Sequence, residues 1–454
     1  MVRAAGEILL IACYELGHQP LAVAWPAAFL ARAGYAPAVL DLSVQRLDAD
    51  AVRRARLVAI SVPMHTALRL GVRAAARVRE LNPDATLVFY GLYAALNADH
   101  LLREAGATAV LAGELEGELV ALVRRLEAGA SDATPRVTAL GKLDFPTPRR
   151  TGLPPFERYA HLDRGGVLER VASVEASRGC KHACRHCPIP PVYGGRFFVV
   201  PVDVVMADVR QQVAAGATHV TFGDPDFLNG PRHALAVASA LHAEFPAVTF
   251  DFTAKIEHLL RHRERLVELA ALGCLFVVSA AESLDDEVLR VLDKGHTGAD
   301  VVEALRVTRA AGITLRPTWV AFTPWTTLES YRAWLDFLEA EGLVDAVDPV
   351  QYGLRLLVPP GSLLRQHDAM RPHLGPLVPE AFCYEWTHPD PRMDALQQAV
   401  SATVAAAADR REDPAVTFGR VRALADEAAG VPPRGAPVLG ERRRAPRLTE
   451  SWFC

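Results

Sequence analysis

In the segment EASRGCKHACRHCPIPPVYGGR, Cys180, Cys184 and Cys187 stand at C-x3-C-x2-C spacing, close enough along the chain for three thiols to converge on one centre. Thiolates are soft donors that suit iron–sulfur clusters or zinc. Three of them can hold three irons of a 4Fe-4S cluster and leave the fourth iron open to another ligand. The competing chemistry is a zinc site with His182 or His186 as fourth ligand. Zinc motifs of this kind usually bring two separated ligand pairs, and no second pair follows at suitable spacing. The chain has seven cysteines, an odd number, and three lie within eight residues. That pattern argues for a metal site in a reducing compartment, the cytoplasm, rather than for a disulfide framework.

Residues able to bind a polar ligand recur where later apolar runs end. In THVTFGDPDFLNG, Gly223 lets backbone approach a ligand, and Asp224 and Asp226 can accept from an ammonium group; the plain alternative is a polar turn. Lys255 in DFTAKIEHL is a cation in an apolar stretch that can meet a carboxylate or stand exposed. VVSAAESLDDEVLRVLDKGHT carries Ser279 and Glu282. In GITLRPTWVAF, Arg316 sits amid apolar neighbours, and an unpaired buried guanidinium is costly. A carboxylate partner is expected, either on a ligand or on an internal Asp or Glu.

The elements that must position these groups follow from the apolar rhythm. Between residue 7 and about 128, five near-continuous apolar runs (Ile8–Ala12, Ala38–Leu42, Leu57–Val62, Thr86–Tyr90 and Ala109–Ala112) alternate with helical segments. Strands covered on both faces predict a parallel, doubly wound sheet with ligands beyond its carboxyl ends. From 129 to 165, GASDATP, DFPTPRR and GLPPFERY are too rich in Gly and Pro for a helix or central strand and predict a linker. Over 166–378, strands near Ala172, His219, Thr249, Leu275, Thr314 and Val350 alternate with helices, which predicts a partial (β/α)6 barrel with its chemistry at the strand carboxyl ends. Residues 379–454 predict a small helical extension, with helices over Met393–Arg410 and Arg420–Ala429, and an extended Pro/Arg-rich tail.

On these residues the cysteine loop resembles that of the radical S-adenosylmethionine (SAM) superfamily. The resemblance implies an enzyme in which Cys180, Cys184 and Cys187 ligate a 4Fe-4S cluster and SAM binds the open iron through its amino and carboxylate groups. Reduction by the cluster then breaks a carbon–sulfur bond of SAM. By the same resemblance His186 contacts the adenine, Gly223 with Asp224 and Asp226 receives the SAM amino group, and Ser279 and Glu282 bind the ribose. Lys255 and Arg316 are candidates for the SAM carboxylate. The PPGS of Pro359–Ser362 is similar to the loop after strand six.

The amino-terminal segment resembles the flavodoxin-like cobalamin-binding domain that precedes one class of these barrels, carried by GLYAALNADHLLREAGATAVLAGELEGELV. Cobalamin is the cofactor it implies. CYELGHQP departs from the Asp-x-His-x-x-Gly pattern that supplies an axial imidazole, though His18 and His65 lie near strand ends. The carboxyl end, Trp452-Phe453-Cys454, is similar to the CUAEP/CCAEP-tail radical SAM (seleno)protein family. The expectation there is a chain ending where a selenocysteine codon was read as a stop, with Cys454 acting at the barrel mouth as a soft ligand or redox partner.

Composition narrows the partners. Lys plus Arg number 49 against 53 Asp plus Glu, which lacks the basic excess of a sequence-independent nucleic-acid binder. No apolar run reaches the ~18 residues of a membrane span, and the start reads as a β-strand rather than a cleaved leader. The expected activity passes a radical, methyl or aminocarboxypropyl group to a small molecule, using electrons from a flavodoxin or ferredoxin. The alternative is a metal-binding or redox-carrier protein without turnover.

Overall fold

The computed structural model describes residues 3–129, 135–432 and 445–450. The first layer is a six-stranded, all-parallel sheet in the order β2-β1-β3-β4-β5-β6. Its strands are β1 (Ile8–Ala12), β2 (Ala38–Asp41), β3 (Leu57–Ser61), β4 (Thr86–Tyr90), β5 (Ala109–Gly113) and β6 (Arg136–Ala139). All five residues of LVAIS in β3 are buried, as strands covered by helices on both faces must be. Five strands were expected and six are present. β6 alternates exposed with half-buried positions, an edge-strand pattern that a search for apolar runs passes over.

The second sheet runs β14-β13-β12-β11-β8-β7-β17. Here β7 (His161–Arg164) and β8 (Val167–Val174) form a hairpin, and β8 is followed in parallel by β11 (His219–Phe222), β12 (Thr249–Thr253), β13 (Cys274–Glu282) and β14 (Thr314–Trp319). Between β8 and β11, β9 (Ser177–Gly179) pairs antiparallel with β10 (Phe197–Val199). A small hairpin of β15 (Leu374–Val378) and β16 (Cys383–Trp386) follows β14. The sheet is a half-barrel, as the α/β pattern predicted. The expected strand near Val350 is instead a 3-10 turn, Pro349–Gly353, followed by a single bridge from Phe322 to Arg355. Pro349 and Gly353 break the run that its apolar residues suggested.

The helices Pro391–Asp409 and Pro414–Ala428 both open on Pro after an Asp cap, Asp390 and Asp413, and pack together beneath the Pro349–Gly353 turn. The tail returns as β17 (Arg447–Leu448), antiparallel to β7. Thr449 N donates to the His161 carbonyl at 2.8 Å, and Tyr14 Oη donates to Glu450 Oε1 at 3.0 Å. The segment between the sheets ties them together. Arg150 makes a two-point pair with Asp208 at 2.7 and 3.0 Å, and Arg149 N donates to the Ala24 carbonyl. Among the described residues no helix is long and apolar enough to cross a membrane.

Candidate functional site

β9 delivers the cysteine loop. Gly179, the residue before Cys180, has φ +73°, and a Cβ there would stand 2.3 Å from the Arg196 carbonyl. Only glycine accepts both the left-handed backbone and the close approach of β10. Gly179→Ala is expected to lower stability by about 1–3 kcal/mol, the range for a strained backbone position, read as a lower thermal midpoint by circular dichroism. The loop is clamped from beyond as well. Arg185 N donates to the Leu292 carbonyl at 2.9 Å, Arg185 Nη1 to the Val291 carbonyl at 2.8 Å, and Ser362 Oγ of the PPGS loop to the Arg185 carbonyl at 3.2 Å.

Cys180 and Cys184 are buried and Cys187 is half-buried; burial pushes the Cys187 thiol up to about 12. Among the described residues the one group of three possible metal ligands with donor atoms within 4.8 Å of one another is His182, Asp226 and His258.

The His182, Asp226 and His258 group is already bonded without an ion. Lys255 Nζ donates to His182 Nδ1 at 3.0 Å, which leaves His182 Nε2 to donate to His258 Nε2 at 3.1 Å. His258 Nδ1 then lies 2.8 Å from Asp226 Oδ2, off the line of a hydrogen bond. Burial, then Lys255 and His258, pushes the His182 imidazole down to about 4, which agrees with a neutral ring in this row.

At the end of β13, Glu282 has φ +64° beside a register shift in the ladder. That turn swings its carboxylate to His186 Nε2 at 3.0 Å and Lys294 Nζ at 3.2 Å. Burial alone would raise this carboxyl, but Lys294 and then His186 hold it well below the usual range. Ser279 Oγ and His186 Nδ1 are buried without a protein partner. A second cavity of about 170 Å3 opens beside Glu282, Ser283 and Trp319.

The expected acid and base contacts divide. Asp224 accepts from Ala176 N at 2.9 Å and from Ser177 Oγ, and burial pushes its carboxyl up to about 7. Asp226 accepts from Leu228 N at 3.1 Å and faces His258. Asp224 has both oxygens bonded inside the protein, Asp226 keeps one buried oxygen without a hydrogen bond, and Gly223 lines the main cavity. Of the two partners expected for Arg316, the internal one is present: its guanidinium donates to Asp348 Oδ2 at 3.1 Å and to the Pro446 carbonyl at 2.8 Å. Cys454 lies outside the described residues.

The main cavity, about 310 Å3, lies between the carboxyl ends of β1, β3, β4 and β5 and those of β8 and β11. Glu15, Ser61 and Tyr90 line one side, and Glu175, Arg178 and Gly223 the other. Glu15 accepts from Leu21 N and Ala22 N at 2.8 and 2.9 Å, capping the helix Leu21–Arg32, and burial pushes its carboxyl up to about 8. Arg178 reaches Glu116 and Glu175 at 2.7 Å each and Glu114 at 3.6 Å, and lies over the Trp25 and Phe145 rings. Sequence reading missed this cluster, Lys294, His258 and Asn229. Arg178 sat in view two residues before Cys180, yet two of its three partners, Glu114 and Glu116, come from beside the other sheet.

Comparison with known proteins agrees with this geometry. The sequence profile of the Radical SAM superfamily matches residues 174–325. The chain is 26% identical over 336 residues to the hopanoid C-3 methylase of Methylococcus capsulatus, covering 70% of this chain and 64% of that one, so it spans less than two thirds of that relative. It is 21% identical to the bacteriochlorophyllide d C-12(1)-methyltransferase of Chlorobaculum tepidum, over 44% of this chain and 42% of that one. The cobalamin-dependent SAM radical enzyme OxsB, solved with aqua-cobalamin, superposes with TM-score 0.68 at 14% identity over 92% of this chain and 73% of that one. The radical SAM methyltransferase TsrM of Kitasatospora setae, solved with cobalamin and a 4Fe-4S cluster, gives TM-score 0.59 at 19% identity over 74% of this chain and 70% of that one. At these identities the two structures speak for the fold. Over residues 174–325, a third of its length, the chain thus matches the radical SAM superfamily, which implies a 4Fe-4S cluster and SAM as cofactors.

Proposed function

We propose that this protein is a cobalamin-dependent radical SAM enzyme that transfers a methyl or aminocarboxypropyl group to a small molecule, with Cys180, Cys184 and Cys187 as the iron ligands. The observation that carries the reading is the main cavity, which has the carboxyl ends of the doubly wound sheet on one side and the cysteine loop residues Gly179 and Ile189 on the other. That is where an open α/β sheet binds its ligands.

The residues present fit both small cofactors. Ser279 Oγ and His186 Nδ1 are buried donors and acceptors left for the SAM nucleoside, with Glu282 beside them. Glu116 Oε2 is buried and unpartnered in a residue that lines the main cavity, and it suits a peripheral amide of a corrin ring. His18 also lines that cavity, and burial pushes its imidazole down to about 4, so it is neutral at pH 7. Cobalamin, when bound, supplies a metal able to carry a methyl group between SAM and an acceptor. A cytoplasmic flavodoxin or ferredoxin is the matching source of electrons.

The test is anaerobic reconstitution of the full chain with iron, sulfide and cobalamin, followed by mass spectrometry of SAM products. S-adenosylhomocysteine, with or without 5′-deoxyadenosine, is the product expected of methyl transfer; methylthioadenosine is that of aminocarboxypropyl transfer. SAM left intact by the reduced, cluster-loaded protein would overturn the enzymatic reading in favour of a carrier.

A further inference from the structure

Asn229 closes the short 3-10 turn Phe227–Asn229, which the Asp226 carboxylate caps at Leu228 N. The residue is 3% exposed and meets the cysteine loop at three points. Lys181 N donates to Asn229 Oδ1 at 3.3 Å, Lys181 Nζ donates to the Asn229 carbonyl at 2.7 Å, and Asn229 Nδ2 donates to Cys180 Sγ at 3.5 Å. The first contact fixes both ends of the side-chain amide. A backbone N–H can only donate, so the atom facing Lys181 must be the oxygen, and the atom facing the sulfur must be the NH2 group.

We propose that Asn229 raises the reduction potential of the cluster through this N–H···S contact to Cys180. The inference rests on Cys180 being a cluster ligand. One-electron reduction places additional negative charge on the cluster and its sulfurs, and a fixed donor at a sulfur stabilises the reduced form more than the oxidised one. Cys180 and Asn229 are both buried, so water does not replace the donor when it is removed. The electron comes from the external low-potential reductant and remains on the cluster; no covalent bond changes. Asn229 is a positioning residue that also holds Lys181, and its effect on the potential is separate from that clamp.

The experiment is an EPR-monitored redox titration of the reconstituted full chain carrying Asn229→Leu, which has no donor, or Asn229→Asp, which keeps size and the acceptor for Lys181. Both midpoints should fall, further for Asn229→Asp, with the ratio of reduced to oxidised cluster at the wild-type midpoint lower by on the order of tenfold, equivalent to about 59 mV for one electron. A loosened loop that admitted water would favour the more negative reduced cluster and move the midpoint upward. The sign therefore separates tuning from damage.

Iron and sulfide analysis accompanies each titration. A full complement of iron with an unchanged or raised midpoint overturns the proposal and leaves the cysteine assignment standing; loss of iron from both variants makes Asn229 a clamp and also overturns it. A cluster retained in Cys180→Ala overturns the assignment on which the proposal rests.

Discussion

Replacing Cys184 by Ala should abolish both the cluster and SAM cleavage in the reconstituted protein, with iron and sulfide falling to background and no SAM-derived product by mass spectrometry. With one thiolate gone, two remain for a cube that needs three protein corners. The loop itself should survive, because its shape is held by backbone contacts that the substitution leaves alone. Cys187 N donates to the Cys184 carbonyl at 3.2 Å, and Arg185 is fixed at both its amide and its guanidinium. The thermal midpoint of the cluster-free protein should therefore match wild type. A different result would be informative: a bound metal that survives Cys184→Ala and disappears in His182→Ala or His186→Ala would make the histidines ligands and restore the zinc reading.

Arg178→Met should cost about 3–5 kcal/mol of stability, the penalty for removing one partner of a buried charge network. Its guanidinium serves Glu114, Glu116 and Glu175 from within the interface between the two sheets. Methionine can fill part of the space against Trp25 and Phe145 but leaves three carboxylates facing one another. The pH dependence has a definite sign. Burial already pushes the Glu114 carboxyl up to about 7 even though Arg178 opposes the shift. A carboxyl raised in the folded state exacts no penalty below its unfolded value of about 4.3, and stability is lost as pH rises from there through the folded value. Without Arg178 the folded value climbs further. The deficit in thermal midpoint should thus be small at about pH 5 and largest at about pH 8. A deficit of equal size at both would mean that Arg178 acts only through its packing on the rings.

How much of this was legible beforehand follows from the range of each interaction. The cysteine triad, Gly223 with Asp224, and Glu282 can be singled out beforehand because they stand within a few residues of one another in the chain or at strand ends, whatever their roles. Arg316 shows the intermediate case. Its apolar surroundings demanded a carboxylate, but that Asp348 supplies one depends on the turn that follows the helix Leu328–Ala340. The run near Val350 was misread as a strand because apolar content reports burial, whereas ladder pairing at the open side of a half-barrel also needs unbroken backbone donors.

The sequence by itself determined the cluster motif and the two α/β layers, since hydrophobic period and ligand spacing are local properties, and its resemblance to the radical SAM superfamily implied the cofactors. Only the tertiary structure decided which atoms are left over for ligands and which are consumed internally. Asp224 and Arg316 hold partners within the protein, while Ser279 Oγ and His186 Nδ1 have none. It also brought Glu114 and Glu116 of one sheet to Arg178 beside the other. The physical reason is desolvation: a buried polar group must find a partner, and that partner is set by which elements meet in space rather than by which residues are neighbours in the chain.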